Sequence, residues 1–242
     1  MIGFVAFRGV RAAMIRSRTS LLNGLLCAVV LLLLSACTAA KIKYRLTLQV
    51  DVDGVVHEGS GVIETEWTHY PKWLQAMTSP WRAEVHGEAV VVDLGSSGLL
   101  FAVLTGPARF DDGHPLGVNP TDPEAILSNF HSTGRQGTTY ESLDDLARRR
   151  DVIDVPFSDL PELVRFGDIR NPGSMEQVNP DELAVKFGPG VKLVRATLAI
   201  TDAPISSGIE TRLTWLNGLK KHERDFKEGG PLGPLGVVAF QR

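Results

Sequence analysis

Cysteine is almost absent from this chain: 242 residues hold only Cys27 and Cys37, and none follows position 37. A disulfide within the body of the protein, thiol catalysis there and cysteine-ligated zinc are excluded together. A body of this size needs no covalent staple, because its core is large enough to hold a fold. Acidic residues are absent from the first 36 positions, which instead carry Arg8, Arg11, Arg16 and Arg18. No His-Glu-x-x-His spacing, no Gly-x-Ser-x-Gly elbow and no phosphate-gripping glycine loop with its lysine occurs. No catalytic set, metal or cofactor is therefore expected. A basic footprint is missing as well. The net charge is −3, and without the four leading arginines the remaining 206 residues carry −7. That balance argues against binding nucleic acid. Arg148-Arg149-Arg150 and Lys220-Lys221 are short, are offset by neighbouring acids and read as solvated surface.

What is present starts with the leader. The apolar run from Leu21 to Ala36 covers 16 residues and is interrupted by Asn23 and Gly24, short against the roughly 20 that a spanning helix needs. A positive n-region, a short apolar h-region and small residues at its end describe a secretory signal peptide. The ending Leu34-Ser35-Ala36-Cys37 resembles the lipobox of bacterial lipoproteins. That resemblance covers the leader alone. It implies cleavage before Cys37, a thioether-linked diacylglycerol on its sulfur and an acyl chain such as palmitate on the new amino terminus. Two or three chains hold a protein on a membrane where one binds only marginally. Thr38 stands where lipoproteins kept in the inner membrane of enteric bacteria carry Asp, so the resemblance implies the outer membrane, periplasmic face. An uncleaved anchor helix with its arginines in the cytoplasm is the alternative. A start at Met14 would make a more compact signal, and residues 1–13 then read as a gene-start extension. The expected organisation is a signal peptide over 1–36, a lipidated tether over 37–41 and a single domain over 42–242.

In the body, Leu46, Leu48, Val50 and Val52 alternate with polar residues, the period of a half-buried strand. Asp53-Gly54 then predicts a hairpin turn. The return strand starts at Val55 and meets a bulge or second turn at Gly59-Ser60-Gly61. Ala89-Val90-Val91-Val92 and Leu99 to Leu104 flank Gly95-Ser96-Ser97-Gly98 as a further hairpin. Phe110 to Asp122 reads as a loop. Asp122-Pro123, Ser142 and Asn179-Pro180-Asp181-Glu182 carry helix-start signals. Asp159 to Phe166 is expected as a short helix, and Lys192 to Thr201 and Ile209 to Leu216 as strands. The class expected is α+β, a largely antiparallel sheet with inserted short helices. Pro156 through Leu216 is similar to proteobacterial proteins of no assigned function, which adds no activity.

All six histidines lie beyond Cys37 and prompt a search for acid–base or metal chemistry. His57 and Glu58 are strand neighbours and point to opposite faces. His86 and Glu88 are spaced to share one. Asp51-x-Asp53-Gly54 resembles the opening of a calcium loop but lacks the remaining ligands. Phe110-Asp111-Asp112-Gly113-His114 and His131-Ser132 carry polar groups on loops. The strongest binding candidate is the aromatic stretch with Trp67, Tyr70, Trp73 and Trp81, which lines either a partner groove or a core edge. The sequence thus supports a non-catalytic module that binds another envelope protein or aids envelope assembly. The alternative is an envelope hydrolase or metal-dependent enzyme whose residues are scattered along the chain.

Overall fold

The computed structural model describes residues 38–69, 81–107, 109–111, 114–116, 145–220 and 240–241. The chain divides into two compact units, Met1–Ala39 with Thr68–Arg82, and Ala40–Trp67 with Ala83–Arg242. Its strands are β1 (Thr38–Val52), β2 (Val55–His69), β3 (Trp81–His86), β4 (Val90–Asp93), β5 (Leu99–Pro107), β6 (Arg109–Asp111), β7 (His114–Leu116), β8 (Val152–Asp154), β9 (Pro161–Phe166), β10 (Met175–Val178) and β11 (Val191–Ile200). Two short helices follow late in the chain, α1 (Leu183–Phe187) and α2 (Leu216–Lys220). The fold is mainly antiparallel β with a few short helices. One sheet has the order β3-β2-β1-β11-β8, a second β10-β9-β5-β4, and β6 pairs with β7 alone.

The hairpin from β1 to β2 forms as its alternation predicts. Asp53 and Gly54 both take positive φ, 52° and 88°, the conformation of the two-residue turn that matches strand twist. The Asp51 carboxylate accepts the Gly54 N–H at 2.9 Å and closes the turn. Residues expected as tether, from Thr38 onward, already belong to β1. β2 runs without interruption through Gly59-Ser60-Gly61, where a bulge or turn is expected. The glycines serve another purpose. A Cβ on Gly59 would overlap the Val91 carbonyl, and one on Gly61 would lie 3.0 Å from the Val90 side chain. β2 crosses β4 too closely for side chains at either position.

Two sequence expectations are corrected. Asp159 to Phe166 forms a one-turn 3-10 helix at Phe157–Asp159 and then β9, not a helix. β9 lies between β5 and β10 with nearly every residue buried. A strand covered on both faces shows no period-2 alternation, so its apolar run looks helical. Ile209 to Leu216 is likewise no strand: Ile209–Thr211 is a 3-10 turn and α2 starts at Leu216. Ile209, Leu213 and Leu216 are the buried residues, and their spacing of four and three is helical. The helix expected near Asn179 starts three residues late, at Leu183. The Asn179 side chain closes a local turn on the Asp181 N–H instead. Of the helix expected from Ser142 through about Arg150, residues 145–150 are described: 145–147 are helical, and the helix ends there, before Arg148. The one expected after Asp122-Pro123 lies outside the described residues.

The second unit buries two cores. The first lies between the sheets: Leu46, Leu48 and Val50 of β1 and Leu198 of β11 meet Val92 of β4, Leu100 and Ala102 of β5 and Leu163 of β9. The second covers the opposite face of the smaller sheet. There Phe101, Val103, Val164 and Phe166 pack under Ile209, Leu213, Leu216 and Phe240. Phe101 meets Phe166 edge-on at 5.5 Å, and Trp215 meets Phe166 and Phe240 at 5.5 and 6.1 Å, the geometry aromatic quadrupoles favour.

Gly59→Ala is expected to cost about 1–3 kcal/mol by overpacking against β4. Ser60→Ala, exposed between the glycines, should stay within about 0.5 kcal/mol of the parent. Urea unfolding of the two variants reads the difference directly.

Candidate functional site

The outer face of the larger sheet collects charge. Lys41 and Lys43 alternate outward from β1, and Glu64 and Glu66 do so from β2. Lys41 Nζ lies 2.8 Å from Glu66 and 3.7 Å from Glu64, and Lys43 Nζ lies 3.8 Å from Glu64. Farther along the same hairpin, Gln49 donates to the Glu58 carboxylate at 2.9 Å. Lys41 and Glu66, Lys43 and Glu64, and Gln49 and Glu58 each sit at equal distance in residues from the Asp53-Gly54 turn, and Lys41 reaches Glu64 diagonally, so one register generates the whole ladder. The hydrogen bond between them raises Lys41 and holds the Glu66 carboxyl below the usual range. His86 of β3 approaches Glu66 at 3.9 Å. The Lys41 side chain is 56% exposed, whereas those of Glu64 and Glu66 are 11% and 27% exposed; with one end open to solvent, such pairs contribute little to stability.

His86 and Glu88, spaced to share a strand face, do not do so. Gly87 lies between them with φ +146°, outside β3, and breaks the alternation. Glu88 is buried and turned toward the carboxyl end of the chain. One of its oxygens accepts the Ile209 N–H and the other the Gln241 amide, each at 2.8 Å. Gln241 also donates to Glu210 at 2.8 Å, and the Ala89 N–H donates to the Phe240 carbonyl. This buried carboxylate therefore fastens the 3-10 turn and the carboxyl end to the segment leading into β4. No local pattern in the sequence announces it, because its partners lie more than 120 positions away.

A second buried carboxylate, Glu162 of β9, accepts from the Gln177 amide of the neighbouring strand β10. Burial raises its carboxyl above the usual glutamate range, opposed by that hydrogen bond. The same strand pair also meets α1: Arg165 of β9 lies over the Phe187 ring at 5.3 Å, and Glu176 of β10 pairs with Lys186 at 3.0 Å. Among the described residues, no three His, Cys, Asp or Glu side chains are grouped to hold a metal ion.

The remaining sequence candidates are dispersed. Trp67 is 2% exposed, within the first core, and its indole donates to the Thr65 hydroxyl; it belongs to the core rather than to a partner-facing surface. Tyr70 and Trp73 lie outside the described residues. Trp81 starts β3, and its side chain is outside the description. His57 bonds the Asp93 carbonyl at 2.8 Å through Nδ1 and links β2 to β4. Asp51 and Asp53 belong to the hairpin turn. Asp111 ends β6 and His114 starts β7, while Asp112, His131 and Ser132 lie outside the described residues, as does Cys37. No protein-family model, curated protein or solved structure matches this chain. Each described buried carboxylate with resolved partners is spent on holding strands and turns together.

The pH dependence of Glu162 follows from its burial. A carboxyl whose folded pKa is raised contributes its full stability below the unfolded value of 4.5 and loses it as pH rises through the folded value. Glu162→Gln keeps an acceptor for Gln177 and removes the charge. The stability of this variant relative to the parent should therefore increase from pH 4 to pH 7.5 in urea unfolding. A constant difference across that range would rule out burial as the cause.

Proposed function

We propose that the chain is a bacterial lipoprotein, cleaved before Cys37 and lipidated there. It carries a single α+β domain on the periplasmic face of a membrane, the outer membrane by the family rule for Thr38. The observation that carries this reading is Leu34-Ser35-Ala36-Cys37, at the end of an apolar run preceded by four arginines and no acid. Among the described residues, no helix is long and apolar enough to cross a membrane. Attachment through two or three acyl chains needs no such helix.

The domain's role in this reading is non-catalytic: it binds another envelope protein or supports envelope assembly. The use of Glu88 as a clamp on Ile209 and Gln241 supports it, because both carboxylate oxygens are occupied by structural donors. His57 is likewise engaged with a backbone carbonyl.

Intact mass and membrane fractionation of the expressed protein test the anchor beside a Cys37→Ser variant. A mature mass starting at Cys37 with added acyl mass, lost together with membrane association in the variant, is the expected result. A full-length, lipid-free mass would exclude lipidation and leave the amino-terminal run as an uncleaved anchor.

A further inference from the structure

We propose that Phe240 and Gln241 fill a peptide-recognition socket within the second unit, and that the socket takes the same pair, an aromatic ring followed by a side-chain amide, from a segment of another protein. The chain's own residues then act as the competitor that keeps the socket closed. The inference does not depend on lipidation at Cys37.

The walls of the socket are tied to one another without its occupant. Phe101 meets Phe166 at 5.5 Å, and Phe166 meets Trp215 at 5.5 Å. The Trp215 indole donates to the Ile169 carbonyl at 2.9 Å, which fixes that wall to the loop after β9. Glu88 accepts the Ile209 N–H at 2.8 Å and closes the remaining side. A site organised in advance loses less ordering entropy when a ligand enters.

Phe240 and Gln241 are held as a peptide ligand is held. The Phe240 ring is completely buried, with its centroid 6.3 Å from Phe101, 5.8 Å from Phe166 and 6.1 Å from Trp215. Its carbonyl accepts the Ala89 N–H at 2.8 Å, and Glu88 and Gln241 form an isolated antiparallel bridge. That bond lies on the edge of the smaller sheet. The Leu94 N–H donates to the Gly98 carbonyl, and Val92 and Val90 face Leu100 and Ala102, so the odd-numbered residues of this strand direct their backbone groups away from β5. Along that edge the Asp93 carbonyl bonds His57 and the Val91 carbonyl lies against Gly59. Ala89 is the next outward group, and it receives the Phe240 main chain. A sheet edge that adds one more main chain beside a side-chain pocket is the arrangement of peptide recognition by strand addition.

The second position sets the selectivity. Gln241 Nε2 donates to Glu88 and to Glu210, each at 2.8 Å, and a primary amide has two N–H groups to offer. A carboxyl group there would set acceptor against acceptor. An aliphatic side chain would leave the buried Glu88 oxygen without its donor.

Peptide binding to the full chain tests the proposal. The variant Phe240→Ala/Gln241→Ala empties the socket and keeps every wall residue. The probe is the hexapeptide Val-Val-Ala-Phe-Gln-Arg, residues 237–242, carrying an amino-terminal fluorescein and read by anisotropy. Saturable binding to the variant is expected, at least about tenfold tighter than to the parent, because an occupant in the same chain competes at an effective concentration on the order of millimolar. Peptides carrying Phe240→Ala or Gln241→Glu should bind the variant at least about tenfold more weakly. If the variant shows no cooperative melting, about 1 mM of the hexapeptide should restore it by mass action. Equal binding to parent and variant, equal binding of the altered peptides, or a folded variant that binds none of them overturns the socket. So does an unfolded variant that the hexapeptide does not rescue.

Discussion

The smaller sheet cannot be left half-covered, and the rest of the second unit is arranged around that constraint. Five successive residues of β5, Leu100 through Leu104, are buried. Neighbours in a strand point to opposite faces, so both faces of β5 must be shielded from water. β1 and β11 supply the cover on one face. On the other, Ile209, Leu213, Leu216 and Phe240 supply it. Those residues come late in the chain, and Glu88 fastens that region by accepting the Ile209 N–H and the Gln241 amide. Two glycines in β2 complete the arrangement by letting β4 approach closely.

This two-sided burial explains which parts of the fold were legible in the sequence. The β1–β2 hairpin was readable because it has one wet and one dry face and a turn that demands positive φ. The β4–β5 pair was readable from its apolar runs and the glycines at its turn. β9 was misread because a strand with no wet face loses the alternation that identifies strands. Ile209 to Leu216 was misread for a related reason: a few apolar residues at mixed spacing fit either period until the surface they cover is known. The role of Gly59 and Gly61 depends on a strand 30 positions away, and local rules assigned it to a turn. The charge ladder could have been found, since the Asp53-Gly54 turn sets which Lys faces which Glu.

The proposed lipoprotein signal rests on a different kind of reading. A signal peptide is read as a linear sequence, so its charges, apolar run and small residues carry the information without a fold. Trp67 shows the limit of reading a cluster by composition alone: its indole is packed in the core and bonded to Thr65. Glu88 shows the reverse limit, because nothing local distinguishes it from a surface glutamate.

Amide hydrogen exchange of the parent and of Phe240→Ala tests the central claim most directly. If burial on both faces holds the smaller sheet, the β5 and β9 amides exchange only through global opening. Removing the Phe240 ring from its completely buried site should then lower their protection by about 3–5 kcal/mol, the usual cost of such a truncation. Unchanged protection in β5 and β9, with faster exchange confined to residues 209–220, would contradict the account by showing that the smaller sheet stands without its second cover.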